Sequence, residues 1–483
     1  MKTFIRTSIV AGVLLLTTVS ALETDKVTLN KNCTLVYNQL PKSVDNLQDA
    51  FQEGMVYGRL RMNTFYWDWS EEIDGKQKDN RAMGIGGSLI YKTAPLNGLS
   101  AAAGLYTTQN PDFFREDKEN VGYVKAGKDS FERNNIKNGG GYDGHFGMSV
   151  LGQAYLQYDI SQTTFIGGRQ LFESLYTKSN DTKMIPNTFD GLSMISKEIP
   201  QTSIKLAYFA AQKLRDHTNA HDVIAYDSWN ENDDSAVNKS LTPDLVGTDN
   251  ELIIASATNK SVENLKAAVN YMIVPDVVSN VTLEAHYKIP LGAWSITPGM
   301  RYMKQMDELG TNISVANLKA KADGYTNPTS LDSALIAGRV DFKNGPMLVR
   351  LGYSEIDDKA DIVAPWRGFP TGGFSRAMAQ YNWYANTKTS MIRFDYDFNK
   401  AGMLPGFRLL SRYAIQDFDD AKPGVQADSN ILHIDMFQKL AENLEMKIRL
   451  GFVDADDNIQ DINGNTKTDV SYNEYRLEFN YFF

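Results

Sequence analysis

The chain has 483 residues, 42% of them apolar, 22% charged and 11% aromatic, with a formal net charge of −10 and a single cysteine. One cysteine excludes an intrachain disulfide, and the acidic balance, with a pI near 5.2, argues against a nucleic-acid partner. The mean hydropathy of −0.36 is that of a polar globule, and after the first 21 residues no run of about 18 apolar residues offers a transmembrane helix.

The N-terminus reads as an export signal. Lys2 and Arg6 precede an apolar stretch from Ile9 to Leu16, and Val19-Ser20-Ala21 closes it with small residues suited to cleavage. Residues 1–21 are therefore expected to be removed, leaving 483 − 21 = 462. Residues 22–55, including "SVDNLQDAFQEG", read as a short helical or irregular periplasmic segment. From "VYGRLRMNTFYWDW" at 56–69 onward, apolar and polar residues alternate almost to the end of the chain. "VLGQAYLQYDI" sets Val150, Ala154, Leu156, Tyr158 and Ile160 against Gln153, Gln157 and Asp159. "VTLEAHYKI" sets Val281, Leu283, Ala285, Tyr287 and Ile289 against Thr282, Glu284, His286 and Lys288. "MIRFDYDF" opposes Ile392, Phe394, Tyr396 and Phe398 to Arg393, Asp395 and Asp397. The chain closes on "SYNEYRLEFNYFF", in which Tyr475, Leu477, Phe479, Tyr481 and Phe483 share one face and only Phe482 breaks the pattern.

Period-2 alternation marks half-buried strands, and a soluble sandwich shows it too. Length separates the two. These segments run roughly ten residues, the span a tilted strand needs to cross a bilayer, against about 5–6 for an ordinary strand. The connections also divide into two classes. Short ones fall near 161–163, 278–280, 290–293, 343–346 and 440–443, and long polar ones at 111–146, 173–200, 215–250, 307–330, 355–387 and 417–430. The pattern predicts an all-β, transmembrane, antiparallel up-and-down barrel spanning 56–483, with long external loops and short periplasmic turns. Eighteen strands fit best and sixteen are the alternative.

One face of such a barrel meets lipid and the other lines a lumen. Projection by period 2 places Arg59, Arg61, Arg301, Arg339, Arg350, Arg393, Arg408, Arg412, Arg449 and Arg476 on the inner face. Most acid is left to loops such as "ENDD" at 231–234, "DFDD" at 417–420 and "DADD" at 454–457. Such arginines either satisfy luminal carboxylates or form a track for an anion, a task suited to the planar guanidinium fork. The segment at about 173–200 is the candidate for a loop that folds inward and narrows the pore, with an ordinary surface loop as the other reading.

"GRQ" at 168–170, followed by "DTKMIPNTFDG" at 181–191, resembles the OprD-type outer-membrane porin family, as does "ANTKTSMIRFDYDFNKAGMLPGFRLLSRYAIQDF" with its Arg412-Tyr413. The opening "NLQDAFQEGMVYGRLRMNTFYW" is similar to the epsilonproteobacterial variety. The resemblance implies eighteen strands, an inward third external loop, and an arginine ladder opposite an acidic side. It also implies passage of small carboxylates, amino acids included. Arg169 would then join the pore lining, and Asp181, Lys183, Pro186, Asn187 and Asp190 the constriction. Lys183 stands where the family pattern has arginine, which keeps the charge and loses the fork.

Nothing points to catalysis, a cofactor or a resident metal: no G-x-S-x-G elbow or H-E-x-x-H motif occurs. His217 and His221 share the loop "DHTNAHD" without a third ligand, and "DADDNIQDINGNTKTD" lacks calcium-loop spacing. The expected partners are outer-membrane lipid and lipopolysaccharide, the outer-membrane assembly machinery, and small anionic or zwitterionic solutes, with room for a homo-oligomer. The aromatic C-terminus (Tyr475, Leu477, Phe479, Tyr481, Phe483) resembles the signal that the assembly machinery reads. The expected function is passive diffusion through the outer membrane of a Gram-negative bacterium. A structural or adhesive surface barrel is the alternative, and an outer-membrane hydrolase a weaker one.

Overall fold

A computed structural model describes residues 26–127, 130–137, 140–225, 241–310, 312–318, 321–378 and 380–483. The signal segment 1–21 and "ENDD" lie outside the described residues. The chain forms a closed antiparallel barrel. Its first strands are β1 (Met55–Trp69), β2 (Asn80–Lys92), β3 (Leu99–Gln109), β4 (Gly147–Ile160), β5 (Thr163–Gln170) and β6 (Thr188–Ser196). They are followed by β7 (Thr202–Lys213), β8 (Leu252–Asn259), β9 (Leu265–Val274), β10 (Val278–Tyr287, extended by Ile289–Leu291), β11 (Trp294–Asp307) and β12 (Ser333–Asn344). The wall is completed by β13 (Met347–Ile356), β14 (Lys388–Asp397), β15 (Phe407–Asp417), β16 (Ser429–Ala441), β17 (Leu444–Ala455) and β18 (Tyr472–Phe482). The strand count is eighteen, because both parts of β10 pair with β11.

Each strand pairs with its neighbour in sequence, and β18 closes against β1 from Tyr472↔Trp69 to Phe482↔Arg59. Backbone bonds between Gly58 and Phe483 extend the seam by a further pair, at 3.0 and 3.2 Å. Closure leaves no unpaired edge, the condition a strand must meet inside a bilayer. At one rim the connections are short: 93–98, 161–162, 197–201, 260–264, 292–293, 345–346 and 442–443, with 398–406 longer. Gly345 makes the tight turn after Asn344 with φ +51°, a conformation in which a side chain is strained. The opposite rim carries the long connections and one short exception at 275–277. That turn corrects the expected short connection at 278–280, which is strand.

The burial pattern is inverted relative to a soluble protein. Leu60, Leu89, Leu156, Leu283, Leu351, Ile392, Tyr413 and Tyr481 are exposed on the outer wall, as lipid contact requires. The buried apolar side chains lie inside, where long loops fill the upper lumen: Phe172, Tyr176, Val223, Trp366, Phe374 and Trp383 form one cluster with the inner faces of the strands. Phe482, the apparent break in the C-terminal alternation, is on the inner face and buried. Tyr475, Leu477, Phe479, Tyr481 and Phe483 run along the other face of β18 and its end. One phase shift was not legible. Gly104 pairs with Gln153 and Leu105 with Leu151, so Gly152 is a bulge, and Val150 turns inward instead of joining Leu156 outside.

Candidate functional site

The inner wall from β11 to β18 presents a continuous band of basic side chains. Arg301, Arg339, Arg350, Arg393, Arg412, Arg449 and Arg476 come from seven strands, and β16 contributes His433 at the same level. Strand register makes many of them direct neighbours: Arg350↔Arg393, Arg393↔Arg412, Arg412↔His433 and Arg449↔Arg476. The wall also carries acid. Arg393 is held by Asp395 through two bonds of 2.6 and 2.7 Å, and Arg449 by Asp435 at 2.7 and 2.9 Å. Arg350 is forked onto Asp341 at 2.6 and 2.8 Å, Arg301 grips Glu284 at 2.5 and 2.9 Å, and Arg476 bonds Glu474. The luminal carboxylates thus interleave with the arginines on one wall and do not form a separate acidic side. Among the described residues Arg412 has no carboxylate of its own; its guanidinium meets His433 Nδ1 at 3.2 Å. Arg408 lies nearer the short-turn rim, exposed and over the ring of Phe437 at 5.3 Å.

Two external loops fold into the barrel. The first runs from 171 to 187, shorter than the expected 173–200 because residues 188–196 are β6. Asp181 anchors it, bridging Arg59 at 2.5 Å and Arg61 at 2.9 Å, while Arg61 also pairs with Glu478 at 2.6 Å. These side chains are almost wholly buried, so they fix the loop to the seam strands. Lys183 is buried too, and its carbonyl accepts from Asn63 at 3.3 Å. The Pro186 carbonyl accepts from Lys213, and Asn187 Oδ1 from the Arg215 backbone N–H at 2.8 Å. On the far wall the Tyr176 hydroxyl reaches Asn280 and Thr282 of β10 at 3.0 and 3.1 Å. The loop therefore spans the lumen from seam to far wall.

The second inward loop, 357–387, corresponds to the long polar connection expected at 355–387, with nothing in the sequence to mark it as turning inward. Its glycine-rich bend offers carbonyls to the wall: Gly373 accepts from Arg339 at 2.7 Å and from Arg350 at 2.8 Å, and Pro370 accepts from Arg301 at 2.5 Å. Gly373 lacks a side chain and has φ +86°, which lets its backbone lie against two guanidinium groups. The two loops are tied together by Lys178 N–H to Trp366 carbonyl and Gly368 N–H to Tyr176 carbonyl, both at 2.9 Å.

The N-terminal segment reaches further than the periplasmic mouth. Residues Val27–Leu29 pair with Leu35–Tyr37 as a small hairpin. Its turn residue Asn32 hydrogen-bonds Glu173 of the first inward loop, and Tyr37 stacks on Tyr57 of β1 with ring centroids 5.1 Å apart. The short helix α1 (Leu47–Gln52), capped by Asn46, then leads into β1.

Arg169 and Asp190 depart from their expected places. They pair across β5 and β6 through bonds of 2.6 and 2.8 Å, but Arg169 shares its face with the outward Phe165 and opposes Ala154, beside outward Leu156. The inward neighbour is Gln170, which is buried and bonds Ser193. The pair is a half-exposed ion pair on the outer wall near the long-loop rim. Parity along the strand, counted from the apolar Phe165, is the signal that would have revealed it.

A family model described as outer membrane porin, OprD family, matches residues 143–479. No curated protein sequence matches the chain. Among solved structures it is similar to Acinetobacter baumannii OccAB3, at 18% identity over 89% of this chain and 99% of that one, with a TM-score of 0.68. Pseudomonas aeruginosa OpdK with vanillate aligns at 16% identity over 89% and 98%, TM-score 0.64. A BenF-like porin from Pseudomonas fluorescens aligns at 16% over 90% and 99%, TM-score 0.66. The matched segment holds 479 − 143 + 1 = 337 of 483 residues and lies within a closed eighteen-stranded barrel. On that footing the chain belongs to the OprD family of outer membrane porins.

Proposed function

We propose that this porin passes small carboxylates, amino acids among them, past a constriction formed by the two inward loops and the arginine wall. The observation that carries this reading is the direct alignment of Arg350, Arg393 and Arg412 on three successive strands, with Arg412 lacking a carboxylate partner among the described residues. A guanidinium without its own counter-ion, facing water in a narrow lumen, favours an anion over a cation at that level. The fork suits a carboxylate in particular, because two parallel N–H groups match its two oxygens. The relative OpdK was solved with vanillate, itself a carboxylate.

Planar-bilayer recording of the purified protein tests the reading. The expected result is stable conductance with a reversal potential, under a KCl gradient, on the anion side. Stable insertion without current would favour the adhesive barrel, and a cation-side reversal potential would remove the carboxylate track while leaving a porin.

A further inference from the structure

The outer wall carries its own marks of depth. On β18, Tyr475 stands near the long-loop rim, Tyr481 and Phe483 at the short-turn end, and Leu477 and Phe479 between them. Tyr475 lies beside Tyr66 of β1 and Phe452 of β17, with ring centroids 6.1 and 6.2 Å away. Rings of this kind gather where hydrocarbon gives way to headgroups, so these three mark the outer-leaflet boundary. Arg81 of β2 pairs directly with Tyr66, and paired residues share a face. Its side chain, 48% exposed, is therefore on the lipid side of the wall at the level of the headgroups.

Two arginines on the outer face near this rim differ in their partners. Arg169 is closed by the Asp190 carboxylate. Arg81 Nε meets the Arg115 carbonyl at 3.4 Å and stands 3.9 Å from Glu116, which accepts from the Arg81 backbone N–H at 3.0 Å. Among the described residues neither Nη of Arg81 has a hydrogen-bond partner. The outer end of its fork is left to whatever lies against the wall.

The chain after β3 supplies an apolar neighbour. Residues 111–116 cross the outer face of β2, where the ring of Phe114 lies 5.9 Å from the Arg81 guanidinium. Met83, on the same face, is buried, while Ile85 and Leu89 further down are exposed. Arg115 folds back over Phe146 at 3.8 Å and donates to the Asn110 carbonyl at 2.9 Å, which pins the segment to the rim. Phe113 is left 71% exposed. A bare aromatic ring at this depth gains by burying itself among acyl chains.

We propose that Arg81 and Phe113 form a docking site for a phosphorylated lipid of the outer leaflet, the lipid A part of lipopolysaccharide. The open guanidinium fork takes a headgroup phosphate through two parallel N–H groups, and Phe113 packs among the acyl chains. The inference rests on the place of the barrel in the outer membrane and is independent of the solute it passes.

The test holds the purified protein in detergent micelles doped with diphosphoryl lipid A and counts bound lipid by native mass spectrometry. Half-saturation of the unaltered protein is expected at a lipid concentration about tenfold below that of Arg81→Gln, the loss of one bidentate charge-assisted contact. Phe113→Ser changes an exposed side chain outside the strands and should weaken binding in the same direction. Lys388→Gln removes an exposed cation at the same rim, at the start of β14, and should leave binding unchanged. Lipid A stripped of its phosphates should bind the unaltered protein no better than diphosphoryl lipid A binds Arg81→Gln, and inorganic phosphate should not displace the lipid. Unchanged half-saturation in either Arg81→Gln or Phe113→Ser overturns the site. An equal loss in Lys388→Gln overturns it too, because attraction to any basic rim would then suffice.

Discussion

Arg393 and Arg412 stand directly opposite one another on β14 and β15, yet only Arg393 is neutralised, by a two-point bond to Asp395. Residues paired in this way hold their Cβ atoms about 4.5–5.5 Å apart, so the free charge of Arg412 sits beside a compensated one. Arg412→Ala should therefore move the reversal potential several-fold toward cations. The double change Arg393→Ala/Asp395→Ala removes one charge of each sign and should leave selectivity close to that of the unaltered channel. Equal shifts from the two variants would refute this division of labour.

Asp181 is the fastening of the first inward loop. Asp181→Ala leaves Arg59 and Arg61, with side chains 1% and 0% exposed, only Glu478 between them among the described carboxylates. Removing one member of such a buried set costs roughly 3–5 kcal/mol. The barrel should unfold at lower temperature in a gel-mobility assay, and the surviving channels should conduct more because the loop is released. Unchanged conductance in folded channels would show that other contacts suffice to hold the loop.

The N-terminal hairpin should narrow the passage from the periplasmic side. Deleting residues 26–38 breaks the Asn32–Glu173 bond and the Tyr37–Tyr57 stack, and unitary conductance should rise clearly beyond channel-to-channel scatter. Cys33 is the only cysteine and offers a native probe. A negatively charged methanethiosulfonate reagent added on that side should lower anion current, and Cys33→Ser should abolish the effect.

Acid should loosen the segment 214–225. His217 and His221 lie edge to face, 5.4 Å apart, and both are buried. Burial is the chief cause that holds His221 down to about 3, with His217, Lys213, Asp216 and the Asp222 backbone also acting on it. Burial likewise lowers His217, with Asp216 and Glu132 opposing and Lys213 and Arg133 assisting. A released histidine titrates near 6.5, so between about pH 6.5 and 3 the free segment takes up protons that the docked one refuses. Docking is therefore intact above about 6.5 and weakens as the pH falls. Limited proteolysis at pH 7.5 and 4.5 should show faster cleavage in acid, and His217→Asn/His221→Asn should remove most of the difference.

Much of this protein follows from alternation along the chain. Ten-residue stretches with lipid-soluble residues on one face determine strands, their number and their hairpin order, because a bilayer accepts no unpaired backbone and each strand has only two faces. That logic placed Arg393, Arg412 and Arg449 inside and Tyr481 and Phe483 outside without any knowledge of the loops. It failed where parity slipped. The bulge at Gly152 turned Val150 inward, and Arg169, one residue before buried Gln170, faces outward with Asp190. What only the tertiary structure decided is how the lumen is filled. The inward path of 357–387, the capping of Arg339 and Arg350 by the Gly373 carbonyl, and the approach of the N-terminal hairpin to Glu173 join residues far apart in the chain. Loops carry no periodicity, and their course is set by which buried charges and carbonyls find one another once the barrel has closed around them.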